Sequence, residues 1–160
     1  MNDPAYVAVV GGGIVSAEVD ALAEEVGALL ARRGAVLVCG GLGGVMEAGC
    51  RGARSSGGTT VGILPGVRRD EANEFCDVVI PSGLGEARNT LIVRSADAVI
   101  AIDGEFGTLS EIGFALKIGK PVVGLGTWEL VRGGRLSEAI KPAATPAEAV
   151  ELALSLVTRP

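Results

Sequence analysis

Hydrophobic residues in this chain fall in short unbroken runs rather than in long alternations with polar ones. The runs are "YVAVV" (6–10), "AVLVC" (35–39), "TTVGIL" (59–64), "DVVI" (77–80), "DAVIAI" (97–102) and "PVVGL" (121–125). A strand buried on one face alternates, whereas one buried on both faces is apolar throughout, so these runs suit a parallel sheet covered on both sides. Helical segments lie between most of them, at 17–32, near 44–56, 86–95 and 108–119, and a last one spans about 147–157. Ser16 is placed to cap the first, and Gly34 lies just past its end. The last opens with "TPAE", which reads as Thr145 at the N-cap, Pro146 at the first helical position and Glu148 closing a capping box. Repeated strand–helix–strand units predict an α/β fold, a doubly wound, mostly parallel sheet with helices on both faces and right-handed crossovers. The longest expected loop is 65–76.

At 160 residues and 48% hydrophobic content, the chain is expected to form a single domain over 1–160 with a substantial core. A net charge of −5 argues against a nucleic-acid partner, because phosphate backbones are held by clustered Lys and Arg. No apolar run approaches the roughly 20 residues that span a bilayer, and the opening residues lack a signal pattern, so no membrane partner and a cytoplasmic location are expected. Cys39, Cys50 and Cys76 are odd in number with no paired spacing, which favours reduced thiols. There is no His, which removes imidazole acid–base relays and most catalytic zinc sites.

Candidate chemistry gathers at three glycine-bearing turns, "GGG" (11–13), "GGLGG" (40–44) and "DGEFG" (103–107), each following a strand and leading into a helix. In such sheets ligands bind beyond the carboxyl ends of the strands, where helix N-termini favour an anion and glycine lets backbone approach it closely. Gly11, Gly12, Gly40, Gly41, Gly43 and Gly44 are therefore candidate phosphate contacts. A dinucleotide is disfavoured. Ser16 and Met46 stand where the fingerprints need a third small residue, and Val38-Cys39 replace the acid expected at the end of the second strand. A GxxxxGK[ST] loop is missing as well. The lysines are Lys117, Lys120 and Lys141, a poor inventory for a pyridoxal phosphate Schiff base.

The segments "GGLGGVMEAG" (40–49) and "EARNTLIVRSADAVIAIDGEFGTLSEIGFALKIGKPVV" (86–123) resemble the Lonely Guy family, often labelled lysine-decarboxylase-like. The resemblance covers nearly the whole chain. It implies a Rossmann-like fold, a homodimer or higher homo-oligomer, and a small phosphorylated ligand held between the two glycine motifs. Hydrolytic members cleave the base–ribose bond of a nucleoside 5′-monophosphate. Residue by residue, it implies that Gly40, Gly41, Gly44 and Met46 form the first motif. In the second, Gly104, Gly107 and Thr108 would hold phosphate and Glu111 would be the catalytic carboxylate. Arg88 matches the family's essential arginine, and the next arginine falls on Arg94. A carboxylate beside the ribose stabilises an oxocarbenium-like state, and a guanidinium offers a fixed fork to base or phosphate.

The sequence departs from the family pattern at Asn89, where Lys is usual, at Asp103, where Pro is usual, and at Glu105, where Gly is usual. Two acids beside the turn read either as solvated loop residues or as a site for Mg²⁺ bridging to phosphate; no cofactor is otherwise required. The "RN" pair and the short chain are similar to a sister branch that includes molybdenum-cofactor carrier proteins, in which that phosphorylated pterin would be the ligand and no turnover would occur. Glu111 itself stands three residues after Thr108, the spacing of a capping box. The expectation is that it points toward Arg88 and the 40–44 turn instead.

Overall fold

The structure is a computed structural model and describes residues 3–158. The strands are β1 (Tyr6–Gly11), β2 (Val36–Cys39), β3 (Thr59–Leu64), β4 (Val78–Pro81), β5 (Ala98–Ile102), β6 (Val122–Leu125), a small hairpin of β7 (Val131–Arg132) and β8 (Arg135–Leu136), and β9 (Ile140–Ala143). The helices are α1 (Ala17–Arg32), α2 (Val45–Ser55), α3 (Asn89–Arg94), α4 (Phe106–Lys117) and α5 (Pro146–Ser155). Seven strands form one sheet in the order β4-β3-β2-β1-β5-β6-β9, and every pairing in it is parallel. The chain winds outward from β1 to β4, then returns to the other side of β1 with β5. The reversal of strand order therefore falls between β1 and β5.

The continuous apolar runs of the central strands have the cause inferred for them; the run at 77–80 does not, because β4 is an edge strand with Val78 and Ile80 exposed. Along β1, Val7 and Val9 enter one core layer beneath α1, α2 and α5, while Ala8 and Val10 enter the other, beneath α3 and α4. In β5, Ile100 and Ile102 serve the first layer and Val99 and Ala101 the second, and all are fully buried. Helices α1 and α2 cross at glycine: a Cβ on Gly27 would sit 1.9 Å from the Gly49 carbonyl oxygen, so only hydrogen allows that approach. Arg51 of α2 then binds Asp20 and Glu24 of α1 at 2.5 and 2.9 Å, fastening the pair at its edge.

The helix starts are set locally. Ser16 Oγ accepts from the Val19 amide, and Thr145 Oγ1 accepts from the Glu148 amide, as expected of N-caps. Glu148 reaches back one residue further than a capping box requires, to the amide of Ala144. The segment expected as one helix over 86–95 is a 3₁₀ turn, Gly85–Arg88, running into the short α3. Neither β9 nor the β7–β8 hairpin was foreseen. No helix among the described residues is long and apolar enough to cross a membrane.

Candidate functional site

A cavity of about 430 Å³ opens at the carboxyl ends of β1, β2 and β5, beside the reversal of strand order between β1 and β5. Its floor is the end of β1, Val9 to Gly11, continued by Gly12, Gly13 and Ile14. Gly40 and Met46 close one wall, Arg88 and Asn89 a second, and Glu105, Gly107, Thr108 and Glu111 the third. Of the residues singled out from sequence, Gly11, Gly12, Gly40, Met46, Arg88, Gly107, Thr108 and Glu111 line this space together. Gly41, Gly43, Gly44 and Gly104 do not line it: Gly43 and Gly44 abut the Gly12–Gly13 turn and Gly104 abuts Thr108, while Gly41 packs against Gly62 and Leu64 of β3. Gly44 has φ +65°, and a Cβ there would lie 2.1 Å from the Gly12 carbonyl oxygen, so the first two glycine turns touch only because that position is glycine. The Val45 amide donates to the same oxygen at 3.0 Å, locking the β1–α1 turn to the start of α2.

The third turn is arranged differently. Helix α4 begins at Phe106, two residues before the start expected from sequence, so Thr108 lies in its first turn and Glu111 in its second. The capping-box alternative fails for that reason: Thr108 is inside the helix, not at its N-cap. Glu105 occupies the N-cap and no side chain caps the helix, which leaves first-turn amides to an incoming anion. The amide that opens α2, by contrast, is spent on Gly12. Two carbonyls of the 103–107 turn are fixed from outside, Asp103 by Thr127 Oγ1 at 2.6 Å and Glu105 by Trp128 Nε1 at 3.3 Å.

Arg88, Glu111 and Thr108 are the site's buried polar side chains, at 8%, 7% and 3% exposure. One Arg88 Nη donates to the Asn89 Oδ1 and the other to the Gly40 carbonyl at 3.5 Å, while Nε is buried with no hydrogen-bond partner among the described residues. Buried polar groups are nearly always paired, so this unpartnered donor sets Arg88 apart from the other polar residues of the site. Burial lifts the Glu111 carboxyl from 4.5 to about 7, and the positive charge of Arg88 opposes that rise only in part. The same burial pushes Arg88 below its ordinary value, offset by Glu111. Near neutral pH the cavity thus holds a guanidinium and a carboxyl close to its titration midpoint, the protonation state suited to acid–base exchange.

Other candidate residues stand outside. Arg94 is exposed and lies over the Phe114 ring at 5.5 Å, a packing role. Asp103 is exposed and does not line the cavity, although Glu105 does. Sequence reading passed over Val9, Val10 and Ile14, whose apolar character carried no chemical signal. A second cavity of about 480 Å³ lies beside β6 and β9, lined by Trp128, Leu130, Leu136 and Ile140. Its charged residues, Glu129, Glu138 and Lys141, are all exposed, so it lacks the buried ionic pair of the first.

Comparison with known proteins places this arrangement. A protein of Archaeoglobus fulgidus is 45% identical over 149 residues, covering 93% of this chain and 94% of that protein. A cytokinin riboside 5′-monophosphate phosphoribohydrolase of Mycobacterium tuberculosis is 38% identical over 125 residues, which cover 70% of this chain and 65% of the enzyme. Among solved structures, the molybdenum cofactor binding protein of Rippkaea orientalis superposes with a TM-score of 0.88 at 34% identity, covering 98% of this chain and 99% of that one. The molybdenum cofactor carrier protein of Chlamydomonas reinhardtii gives 0.83 at 31%, covering 98% and 100%. DNA processing protein A of Streptococcus pneumoniae, at 0.74 and 22% identity over 63% of its own length, shares the fold alone. The match to the SLOG cluster4 family runs over residues 4–150, through both glycine motifs, Arg88 and Glu111, and the chain belongs to that family.

Proposed function

We propose that the cavity binds a phosphorylated small molecule, with its phosphate on the uncapped start of α4 and its remaining polar groups on Arg88. The observation that carries this reading is the pairing of a buried, partly unpartnered Arg88 with a buried Glu111 across one cavity. A nucleoside 5′-monophosphate suits the space, and the chemistry for which the pair is equipped is cleavage of the bond between base and ribose. Arg88 would hold the ligand, and Glu111 would orient water and stabilise the ribosyl cation as the bond breaks. The named activity of the mycobacterial relative supports this reading.

Binding without turnover is the second reading. It is favoured by the solved structures that cover both chains almost completely, which are molybdenum cofactor binding and carrier proteins. Both readings carry a cytoplasmic homodimer as the working form, which fractionation and sedimentation measure.

One pair of experiments separates them. Purified protein is incubated with AMP and with prenylated AMP, and free base is followed by chromatography. Hydrolysis predicts base release that falls at least about a hundredfold in Glu111→Ala, the scale of a lost acid–base group. Mass spectrometry of small molecules released from freshly purified protein distinguishes a nucleotide from a pterin. Absence of base release, together with a retained pterin, selects the carrier reading. Absence of both refutes the proposal.

A further inference from the structure

The three cysteines are far apart in sequence and converge in the fold. Cys39 ends β2, Cys50 lies in the middle of α2, and Cys76 belongs to the loop before β4. Their Sγ atoms lie within 4.8 Å of one another, with Cys39 to Cys50 at 3.4 Å and Cys50 to Cys76 at 3.9 Å. All three are free thiols; Cys39 and Cys50 are fully buried and Cys76 is half-buried. Gly62 of β3 makes room, since a Cβ there would stand 2.7 Å from Cys76 Sγ.

We propose that Cys39, Cys50 and Cys76 form a binding site for a single thiophilic d¹⁰ cation, Zn²⁺ or Cu⁺. An ion bound at about 2.3 Å from each of three sulfurs in a trigonal arrangement needs sulfurs about 4.0 Å apart. The observed spread brackets that value, so small side-chain shifts complete the site. No carboxylate belongs to the cluster and the chain has no His, so the donor set is all thiolate and selects soft ions over Mg²⁺ or Ca²⁺. The Gly41 amide already donates to Cys39 Sγ at 3.3 Å, the kind of outer-shell contact that steadies a metal-bound thiolate. Each ligating thiol releases its proton to solvent, so Zn²⁺ on three thiolates leaves one net negative charge on the cluster, and half-buried Cys76 is the side from which the ion enters. The ion would join β2, α2 and the loop before β4 directly beneath the 40–44 turn. The site does not depend on which ligand occupies the main cavity.

The test uses full-length protein reduced with a phosphine and kept anaerobic. Co²⁺, as a spectroscopic stand-in for Zn²⁺, and Cu⁺, delivered against a chromophoric chelator, are titrated separately. The expected result is one ion per chain for at least one of them, with sulfur-to-cobalt charge-transfer absorption in the Co²⁺ arm and a raised melting temperature. Cys76→Ser, at a half-buried position, and Cys50→Ala, a small apolar replacement, should each lose more than the roughly 10–100-fold in affinity that loss of an outer-shell partner costs. Failure of both ions to bind stoichiometrically to wild type overturns the proposal, as does unchanged affinity in a folded Cys76→Ser variant. Wild type that binds neither ion when reduced but forms a Cys39–Cys50 disulfide in air overturns it in favour of a redox pair.

Discussion

Arg88 and Glu111 face one cavity from different elements, the 3₁₀ turn before α3 and the second turn of α4, and they do so without forming a direct ion pair. Neither charge is neutralised by direct contact with the other, and each bears the energetic cost of burial. For Glu111 that cost depends on pH. Its folded carboxyl titrates near 7 against an ordinary value of 4.5. Below about pH 4.5 the group is protonated in both folded and unfolded chains and contributes no penalty. As pH rises from there to about 7, the unfolded chain ionises first and stability falls; above 7 the penalty is complete, on the order of 3 kcal/mol. Glu111→Gln removes it. The variant is expected to melt at a higher temperature than wild type at pH 8 and at a similar one at pH 4.5, while losing base release. Thermal unfolding across that pH range checks the first point, and equal pH slopes in the two proteins would refute it.

Arg88→Lys should fail nearly as badly as Arg88→Ala in binding. The guanidinium spends both Nη atoms on Asn89 and Gly40 in a fixed fork that an ammonium on a flexible stem cannot reproduce. A hydrogen bond to a charged group contributes about 1.5–3 kcal/mol, so calorimetry with AMP should show roughly ten- to a hundredfold weaker binding in both variants. Lysine binding like wild type would mean that only charge matters at this position.

The centre of the sheet was legible because its strands are buried on both faces, which leaves an uninterrupted apolar signature such as Ile100–Ile102; β4 was read from the same kind of run although Val78 and Ile80 are exposed at the sheet edge. Edge strand β9 was not. Lys141 and Pro142 interrupt "IKPA", and proline is tolerated there because β9 pairs on one side only. The β7–β8 hairpin turns on Gly133 and Gly134, both at positive φ, but its two-residue strands are too short for any periodicity. At the site, residue types marked Arg88 and Glu111, but local pattern misplaced the start of α4. Thr108 and Glu111 have the spacing of a capping box, yet the helix begins where the Asp103–Gly104 turn, both residues at positive φ, sets the chain direction. The three cysteines, separated by 11 and 26 residues, carried no signal that linear spacing could reveal.

Gly44 is the joint between two turns of the site, and its replacement is expected to cost stability as well as affinity. Gly44→Ala puts a side chain at φ +65° and drives its Cβ to 2.1 Å from the Gly12 oxygen. Backbone strain alone amounts to about 1–3 kcal/mol, and the clash adds to it. Gly43→Ala is the control, since its Cβ would meet Gly13 O only at 3.4 Å. Denaturant unfolding should separate the two variants by at least about 1 kcal/mol; equal losses would remove the steric argument.

Asp103 and Glu105 give the phosphate turn of this chain its own character, and they act by different means. Asp103 has φ +50°, where proline, fixed near −65°, cannot go, and its amide donates to the Leu125 carbonyl at 3.3 Å. Asp103→Pro, which restores the residue usual in the resembling family, should therefore destabilise the fold by about 3 kcal/mol or more rather than repair the motif. Glu105 lines the cavity as the N-cap of α4, and its carboxylate opposes an anion on that helix end. Glu105→Gly should tighten AMP binding roughly three- to tenfold in metal-free buffer, in keeping with removal of one nearby, partly screened charge. If Mg²⁺ bridges Glu105 to phosphate, adding it should tighten wild type and leave Glu105→Gly unaffected. Calorimetry with and without Mg²⁺ reads both effects, and weaker metal-free binding by Glu105→Gly would show that the glutamate supports the ligand instead of repelling it.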